Sequence, residues 1–298
     1  MPWKKTETGV VHFISTESGL WSHLVARETD MDQNSLMKVA ELGGVYLNNC
    51  RIFQEHEVRA NDYLRLHTDP RRYSIESLKN SVVWESDDLF VLDKPAGLPC
   101  HPTVDNAQEN LLKAAQDQFH QSLYLTHRLD VPTSGLLVLA KSAKAQAQFH
   151  EVLKQRLIQK IYEAEVEPPG PELGLYEHHM VKSRYAPKVM QAKPSELTQV
   201  CQLRVLDKQS LGLSELLRLE LLTGRTHQIR AQLAFLGFPI LGDEMYRNPS
   251  DQKPAEEKFY LRCVELHFPW KSETVHLKIP GGKAPPDSAR ASLSTDRP

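Results

Sequence analysis

The sequence has no long apolar run. None of its hydrophobic segments approaches the roughly 18 residues that a membrane-spanning helix needs. Residues 1–7 carry two lysines with no apolar core behind them, which makes a poor secretory signal. Cysteine is also scarce, and its four copies lie too far apart for metal-ligand or redox spacing: Cys50, Cys100, Cys201 and Cys263. These absences favour a cytoplasmic protein with reduced thiols, no membrane attachment and no metal.

An excess of charge of one sign is missing as well. The 298 residues contain 36 Lys and Arg against 38 Asp and Glu, which gives a formal net charge of −2. That balance provides no general attraction to nucleic acid, although a local basic groove can exist on a neutral protein. The hydrophobic share of 40% and the charged share of 25% are ordinary for a globular protein. The length suits one large domain and one small domain.

Changes in composition along the chain predict three regions. Residues 1–74 read as a small module that joins through an Asp-Pro-Arg-Arg linker to a main domain over residues 75–280. Residues 281–298 are rich in Pro, Ser and Ala, which predicts a disordered tail. Within the small module, helical and strand patterns follow one another at residues 22–27, 33–42, 45–47 and 63–67.

The main domain mixes strand and helix patterns without a regular β-α-β order. Short apolar runs at 82–84 and 90–92 have strand length, and residues 135–140 form a continuous apolar run typical of a buried central strand. Leucines alternate with charged residues over 217–221, as in a half-buried strand. The mixture predicts the α+β class.

Two helices are predicted in the main domain. Residues 143–158 have apolar side chains near helical spacing. Residues 226–236 form a second helical pattern, in which Thr226 is a plausible N-cap and Gly237 ends the helix.

Three segments contain residues that could carry chemistry. Residues 93–99 read Asp-Lys-Pro-Ala-Gly-Leu-Pro, a rigid turn after a strand. Residues 127–137 read His-Arg-Leu-Asp-Val-Pro-Thr-Ser-Gly-Leu-Leu, so that Asp130 lies in a constrained loop at the mouth of the buried strand. Residues 221–230 place two arginines and a histidine where a strand passes into a helix, which suits an anion.

Each segment also has a plain structural interpretation. A turn, a loop aspartate that caps a backbone group, and a solvated basic helix end would account for the three taken singly. A hydrolase built on His127, Asp130 and Ser134 is disfavoured. Catalytic triads come from distant segments, and no Gly-x-Ser-x-Gly motif is present.

Taken together and in order, these motifs resemble the RluA-type family of RNA pseudouridine synthases. The resemblance rests on Lys-Pro-Ala-Gly at 94–97, His-Arg-Leu-Asp-x-x-Thr-Ser-Gly-Leu-Leu at 127–137 and Gly-Arg-Thr-His-Gln-Ile-Arg at 224–230. A Pro-Ile-Leu-Gly-Asp-x-x-Tyr sequence at 239–246 supports it. The similar region covers about two thirds of the chain. It implies an α+β fold with a mixed, mostly antiparallel central sheet and a catalytic cleft.

The resemblance also implies roles for individual residues. Asp130 matches the family's catalytic aspartate, and Arg230 matches the arginine that pairs with it. Tyr162, in the sequence Lys-Ile-Tyr-Glu-Ala, matches the tyrosine that stacks on the target base. The sequence leaves open whether Asp130 attacks the base, attacks the sugar or removes a sugar proton. The isomerisation requires no metal and no organic cofactor.

A set of basic residues is predicted to contact RNA. Residues 141–160 contain five lysines and arginines against one acid, which suits a phosphate-contacting surface beside the catalytic loop. Arg128 matches the family residue that helps to hold the RNA open. The predicted RNA-binding residues are Lys94, His127, Arg128, Lys154, Arg156, Lys160 and Arg225.

The small module resembles an S4-like RNA-binding domain through residues 43–49 and the strand that ends at His67. It lacks the usual basic helix residues, since residues 1–74 hold nine Lys and Arg against ten Asp and Glu. Large-subunit ribosomal RNA is the favoured substrate, transfer RNA is a further candidate, and the protein is expected to be a monomer. The alternative is a non-catalytic RNA-binding or RNA-chaperone protein on the same fold.

Overall fold

The computed structural model describes residues 3–6, 9–247, 258–281 and 292–294. The chain forms two compact units. The first comprises Met1–Glu76 and Leu98–His120, and the second comprises Ser77–Gly97 and Gln121–Pro298. The division of the sequence into 1–74 and 75–280 stays a prediction. In the structure, residues 98–120 belong to the first unit.

The first unit contains a five-stranded antiparallel sheet, a two-stranded sheet and three helices. Its elements are β1 (Trp3–Lys5), β2 (Val10–Ile14), β3 (Gly19–Leu20), α1 (Trp21–Glu28), α2 (Gln33–Leu42), β4 (Val45–Leu47), β5 (Cys50–Ile52), β6 (Glu57–Val58), β7 (Tyr63–His67) and α3 (Leu111–Phe119). The strand order is β1-β2-β7-β4-β5, with β3 paired to β6. Apolar side chains of α1, α2 and the sheet form one buried core.

Local sequence signals account for the turns of this unit. Helix α2 begins after Asp32, whose side chain accepts the Ser35 N–H at 3.0 Å, and it ends at Gly43 in the left-handed region. The predicted helix at 33–42 is therefore confirmed. Asn48 and Asn49 both have positive φ in the β4–β5 hairpin, as expected for a tight two-residue turn.

The second unit is built on one large sheet. Its strands are β8 (Val82–Glu85), β9 (Leu89–Lys94), β10 (Tyr124–Leu125), β11 (Ser134–Ala140), β12 (Gln159–Val166), β13 (Gly174–Val181), β14 (Met190–Gln191), β15 (Thr198–Ser210), β16 (Glu215–Leu221), β17 (Leu261–Trp270), β18 (Glu273–Lys278) and β19 (Ser292–Ser294). Its helices are α4 (Ala143–Lys154), α5 (Gln228–Phe235) and a 3₁₀ turn at Lys79–Ser81.

The order of strands confirms the predicted α+β fold with a mixed sheet. The main path is β14-β13-β15-β16-β12-β17-β11-β9-β8, with β10 beside β11, β18 beside β17 and β19 beside β18. All described pairs are antiparallel except β11 with β17. The apolar run at 135–140 is the fully buried part of β11, as its sequence predicted.

Two predicted helix boundaries were wrong, and the predicted tail is only partly described. Helix α4 ends at Lys154 instead of residue 158, and Arg156 follows in the left-handed region. Helix α5 begins at Gln228, with His227 and not Thr226 at the N-cap position. Of residues 281–298, Ser292–Ser294 pair with β18, while 282–291 and 295–298 lie outside the described residues. No helix in the described part of the chain is long and apolar enough to span a membrane.

The backbones of β11 and β17 approach each other closely at Gly135. This glycine has a φ of +107°, and a Cβ there would lie 2.2 Å from the Cys263 carbonyl oxygen and 2.6 Å from its nitrogen. Both atoms belong to the backbone of a buried strand and cannot move aside cheaply. Gly135 is therefore required where the loop containing Asp130 enters the sheet.

Gly135→Ala should destabilise the second unit more than a glycine replacement that adds only backbone strain. Overpacking costs about 1–3 kcal/mol, and it adds to the roughly 1–2 kcal/mol of a left-handed alanine. The control is Gly212→Ala, which has a φ of +89° but no atom within 4 Å of a new Cβ. Chemical denaturation measures both losses, and equal values would show that the close approach is not a constraint.

Candidate active site

The loop that contains Asp130 is fixed at its first stem. The Thr126 hydroxyl donates to the Val138 carbonyl at 2.7 Å, and the Val138 N–H donates to His127 Nε2 at 3.2 Å. Strand β10, immediately before them, pairs with the end of β11. Both polar backbone groups of one residue in the central strand are thus used to hold the start of the loop.

The second stem of the loop is held by the Lys-Pro-Ala-Gly turn. The Gly97 N–H donates to the Val131 carbonyl at 2.8 Å. The Lys94 ammonium donates to the same carbonyl at 3.3 Å and to the Pro95 carbonyl at 2.8 Å. Lys94 is fully buried, so the structure corrects its predicted contact with RNA. It acts as a buried cation that holds the residue next to Asp130.

Arg230 lies between two carboxylates. It is the third residue of α5, and its guanidinium forms a bidentate pair with Asp243, with both hydrogen bonds at 2.7 Å. A further nitrogen, Nη1, lies 3.6 Å from Asp130 Oδ2. The side chain of Asp243 is 0% exposed, that of Arg230 is 6% exposed and that of Asp130 is 20% exposed. Asp130 is the member of this group with the greatest access to a substrate.

Aromatic rings and charges keep the guanidinium in place. Arg230 lies over the rings of Tyr246, at 5.1 Å, and Phe259, at 5.4 Å. Burial acts to lower the pKa of Arg230, but the hydrogen bonds and charges of Asp243 and the charge of Asp130 raise it overall. The site therefore contains a permanent positive charge directed at Asp130.

Gln228 shapes the turn from β16 into α5. Its side-chain oxygen accepts the Arg225 N–H at 3.0 Å and the Thr223 hydroxyl at 2.9 Å, and its amide donates to the Gln202 carbonyl at 3.1 Å. Gln228 is buried. These bonds leave His227 in the left-handed region with a φ of +57°. Its Nε2 then lies 3.9 Å from Asp130 Oδ1.

The register of the sheet places Tyr162 near the loop that contains Asp130. It is opposite Cys263 on β17, and Cys263 is in turn opposite Gly135 on β11. Two strand spacings of about 4.8 Å therefore separate Tyr162 from Gly135, which lies at the start of β11 just after the Asp130 loop. Burial raises the pKa of Cys263 to about 12, so this neighbour of Tyr162 is a neutral thiol. The Tyr162 ring is only 5% exposed, so a base can stack on it only after the surrounding side chains move.

The predicted RNA-binding residues divide into two groups. Arg128, Lys154, Arg156 and Arg225 are exposed, although Lys154 pairs with Glu151 at 3.6 Å. His127 and Lys160 are only partly exposed.

His127 and Lys160 both contact other parts of the protein. The ring of His127 faces β11 and stacks against Phe149. The Lys160 ammonium lies against Gly224, where an added Cβ would come within 3.2 Å of it, and burial lowers its pKa. The RNA contact predicted for His127 does not fit this placement of its ring, which faces β11 and Phe149.

Asp243 and Tyr246 had no role predicted from the sequence, and His227 was predicted only as part of a cluster that suits an anion. They lie in the Gly-Arg-Thr-His-Gln-Ile-Arg and Pro-Ile-Leu-Gly-Asp-x-x-Tyr motifs, which carried the resemblance without roles for these positions. A basic hairpin loop, residues 182–189 between β13 and β14, was also missed. It has three basic residues, no acid, and an exposed tyrosine, Tyr185, at 81%. No cluster of three or more His, Cys, Asp or Glu in the described ranges could hold a metal ion.

Comparisons with known proteins show which family the chain resembles. A family model described as RNA pseudouridylate synthase matches residues 88–235. A protein of Chlorobaculum parvum named as an uncharacterized RNA pseudouridine synthase is 30% identical over 85% of this chain and 83% of its own length. Ribosomal large subunit pseudouridine synthase D of Nitrosomonas europaea is 34% identical over 68% of this chain and 60% of its own length.

A solved structure of an RNA pseudouridylate synthase domain is also similar to this chain. Human RNA pseudouridylate synthase domain containing 4 has a TM-score of 0.58 and 25% identity, over 69% of this chain and 90% of that protein. The chain belongs to the RNA pseudouridine synthase family. It spans from 45% to 83% of the length of the curated relatives it matches.

The burial of His127 predicts a dependence of stability on pH. Burial lowers its pKa from 6.5 to about 3, with a smaller effect from Lys160. Between these pH values the unfolded chain binds one proton more than the folded chain, so the free energy of unfolding decreases as the pH falls. The contribution of His127 is about 1.4 kcal/mol per pH unit.

His127→Gln removes this titration and keeps an acceptor for the Val138 N–H. Between pH 6.5 and 4.5, the free energy of unfolding should therefore fall less steeply in this variant than in the wild type. The matched control is His276→Gln, at an exposed histidine of β18. Denaturant titrations at several pH values measure the slopes, and identical slopes for wild type and His127→Gln would contradict the neutral buried ring.

Proposed function

We propose that this chain isomerises selected uridines of a structured RNA to pseudouridine, with Asp130 as the nucleophile. The observation that carries the proposal is the placement of the Asp130 carboxylate on a fixed loop, 3.6 Å from the buried guanidinium of Arg230. The positive charge of Arg230 stabilises negative charge on Asp130. The Asp130 side chain remains 20% exposed and so can be reached by a substrate.

The reaction is an intramolecular rearrangement. The N1–C1′ glycosidic bond breaks, the uracil turns, and C5 bonds to C1′ while the C5 proton moves to N1. Atoms and electrons balance without an added reagent, so the protein needs to supply only a nucleophile or base, electrostatic support and a binding site. A carboxylate fixed by Arg230 can supply the first two, and the proposal requires no cofactor.

The target uridine has to leave its stack before Asp130 can reach it. Extrusion of a base costs a few kcal/mol, which contacts within the protein must offset. Tyr162 offers a planar ring, and stacking of a base on an aromatic ring contributes about 1–3 kcal/mol. Because Tyr162 is buried, the proposal requires neighbouring side chains to move when a base enters.

The surface cations near the site suit an RNA backbone. Arg128 and Arg225 are exposed within the two loops that carry the catalytic pair. The basic hairpin loop adds three cations and the exposed ring of Tyr185, a combination that favours single-stranded nucleic acid. Lys154 and Arg156 at the end of α4 extend the basic surface.

We further propose large-subunit ribosomal RNA as the substrate, with transfer RNA as the second candidate. A relative named as a ribosomal large subunit pseudouridine synthase is 34% identical over 68% of this chain, which supports the first choice. The proposal includes action in the cytoplasm as a monomer, and an S4-like role for residues 1–74.

Replacement of Asp130 tests the chemistry in cells. Asp130→Asn keeps the size of the side chain and removes the nucleophile, so cells that contain only this variant should lack one or more pseudouridines that wild type restores. Pseudouridines are mapped in total RNA by carbodiimide-blocked primer extension. The control is Asp207→Asn, at an exposed aspartate of β15, which should restore the same sites.

Each outcome separates the proposal from its alternative. Sites that return with wild type and Asp207→Asn, but not with Asp130→Asn, would identify the substrate and support the catalytic role. A map that stays unchanged without the protein, together with purified protein that is inactive on ribosomal and transfer RNA, would favour a non-catalytic RNA-binding protein.

A further inference from the structure

His227 faces the carboxylate oxygen that Arg230 does not. Arg230 Nη1 approaches Asp130 Oδ2 at 3.6 Å, whereas His227 Nε2 lies 3.9 Å from Oδ1. The His227 side chain is only 15% exposed, and its left-handed backbone is set by the turn that Gln228 holds. Both oxygens of Asp130 therefore have a nitrogen partner nearby, one charged and one from an imidazole.

The hydrogen bonds of Tyr246 favour one position for the proton of the imidazole. The Lys188 N–H donates to the Tyr246 hydroxyl oxygen at 2.7 Å. The same hydroxyl lies 3.1 Å from His227 Nδ1. A backbone N–H can only donate, so the hydroxyl oxygen accepts there, and its own proton is available for Nδ1. A neutral ring that accepts at Nδ1 carries its proton on Nε2, the atom that faces Asp130.

The electrostatic surroundings of the ring agree with a neutral imidazole. Burial lowers the pKa of His227, and the positive charges of Arg230 and Lys188 act in the same direction. The charges of Asp130 and Asp243 act in the opposite direction without reversing the shift. A neutral ring can donate one hydrogen bond to Asp130 without adding a second positive charge to the site.

We propose that Tyr246 and His227 are positioning residues that link the basic hairpin loop to the orientation of the Asp130 carboxylate. The proposal rests on the proposed function, because the loop is taken to bind the RNA substrate. Lys188 belongs to that loop, and its backbone N–H starts a chain of donors that runs through Tyr246 and His227 to Asp130. When RNA binds the loop, this chain of hydrogen bonds adjusts the orientation of the Asp130 carboxylate.

The last step of the chain, from His227 to Asp130, is longer than a hydrogen bond in this structure. A separation of 3.9 Å exceeds the 2.7–3.2 Å of an N–H···O hydrogen bond. A movement of about 1 Å closes the gap between His227 and Asp130 and fixes the plane of the carboxylate through both of its oxygens. Without the Tyr246 hydroxyl, the imidazole can exchange its proton between the two nitrogens, and Nε2 no longer donates reliably.

Tyr246→Phe isolates the hydroxyl, because the ring that packs on Arg230 is retained. The probe is an in vitro transcript of large-subunit ribosomal RNA, with unmodified transfer RNA as a second probe. The single-turnover rate of pseudouridine formation should fall about tenfold, while the dissociation constant measured by filter binding stays within about twofold. The control is Tyr176→Phe on the same hairpin, whose hydroxyl donates to the Glu172 carbonyl at 2.9 Å.

A second readout does not depend on the RNA. Nitrogen-15 NMR of the histidine side chains should show His227 of the wild-type protein as the Nε2–H tautomer, and Tyr246→Phe should shift it toward a mixture of tautomers. A purely structural role of Tyr246 would alter the unfolding midpoint without this change.

The outcomes distinguish this proposal from the function on which it rests. Wild-type protein that is inactive on both RNA probes would overturn the proposed function. Active wild type with an unchanged rate in Tyr246→Phe would overturn the positioning role. So would an equal loss in Tyr176→Phe, or an Nδ1–H tautomer in the wild-type protein.

Discussion

The site depends on one buried guanidinium shared by two carboxylates. Arg230 donates two hydrogen bonds of 2.7 Å to Asp243, and its third nitrogen, Nη1, lies 3.6 Å from Asp130 Oδ2. Removing one partner from such a buried pair costs about 3–5 kcal/mol, because the charge that remains is uncompensated. Asp243 therefore secures Arg230 inside the protein, while Asp130 has the longer contact and the greater exposure. In the proposed function, the first carboxylate is structural and the second is reactive.

The sheet supplies the rigidity that this arrangement needs. Both stems of the Asp130 loop are attached to fixed backbone, one through the peptide groups of Val138 and the other through the carbonyl of Val131. Gly135 then allows β11 to approach β17 at a distance that no side chain would permit. The proposed role of Asp130 requires a carboxylate held in a fixed position, and such anchoring provides it.

Sequence patterns predicted the parts of this structure that depend on local order. The apolar run of β11, helix α2 and the Asn48–Asn49 turn follow from residues within one element. The resemblance brought Asp130 and Arg230 together before any geometry was known. It could not reveal that Lys94 meets a carbonyl 37 residues away and is buried, because that contact exists only in the folded sheet. The start of α5 was placed two residues early, since the Gln228 side chain and not Thr226 satisfies the turn.

The most direct test of the central claim is the single-turnover rate of Asp243→Asn, compared with that of Asp93→Asn. Asp93 also forms a bidentate pair, with Arg262 on β17, but it has no contact with Asp130 or Arg230 in the described structure. We expect a rate loss of about 100-fold or more for Asp243→Asn with RNA affinity retained, and a change within about threefold for Asp93→Asn. Equal rates in the two variants would contradict a site organised around Arg230.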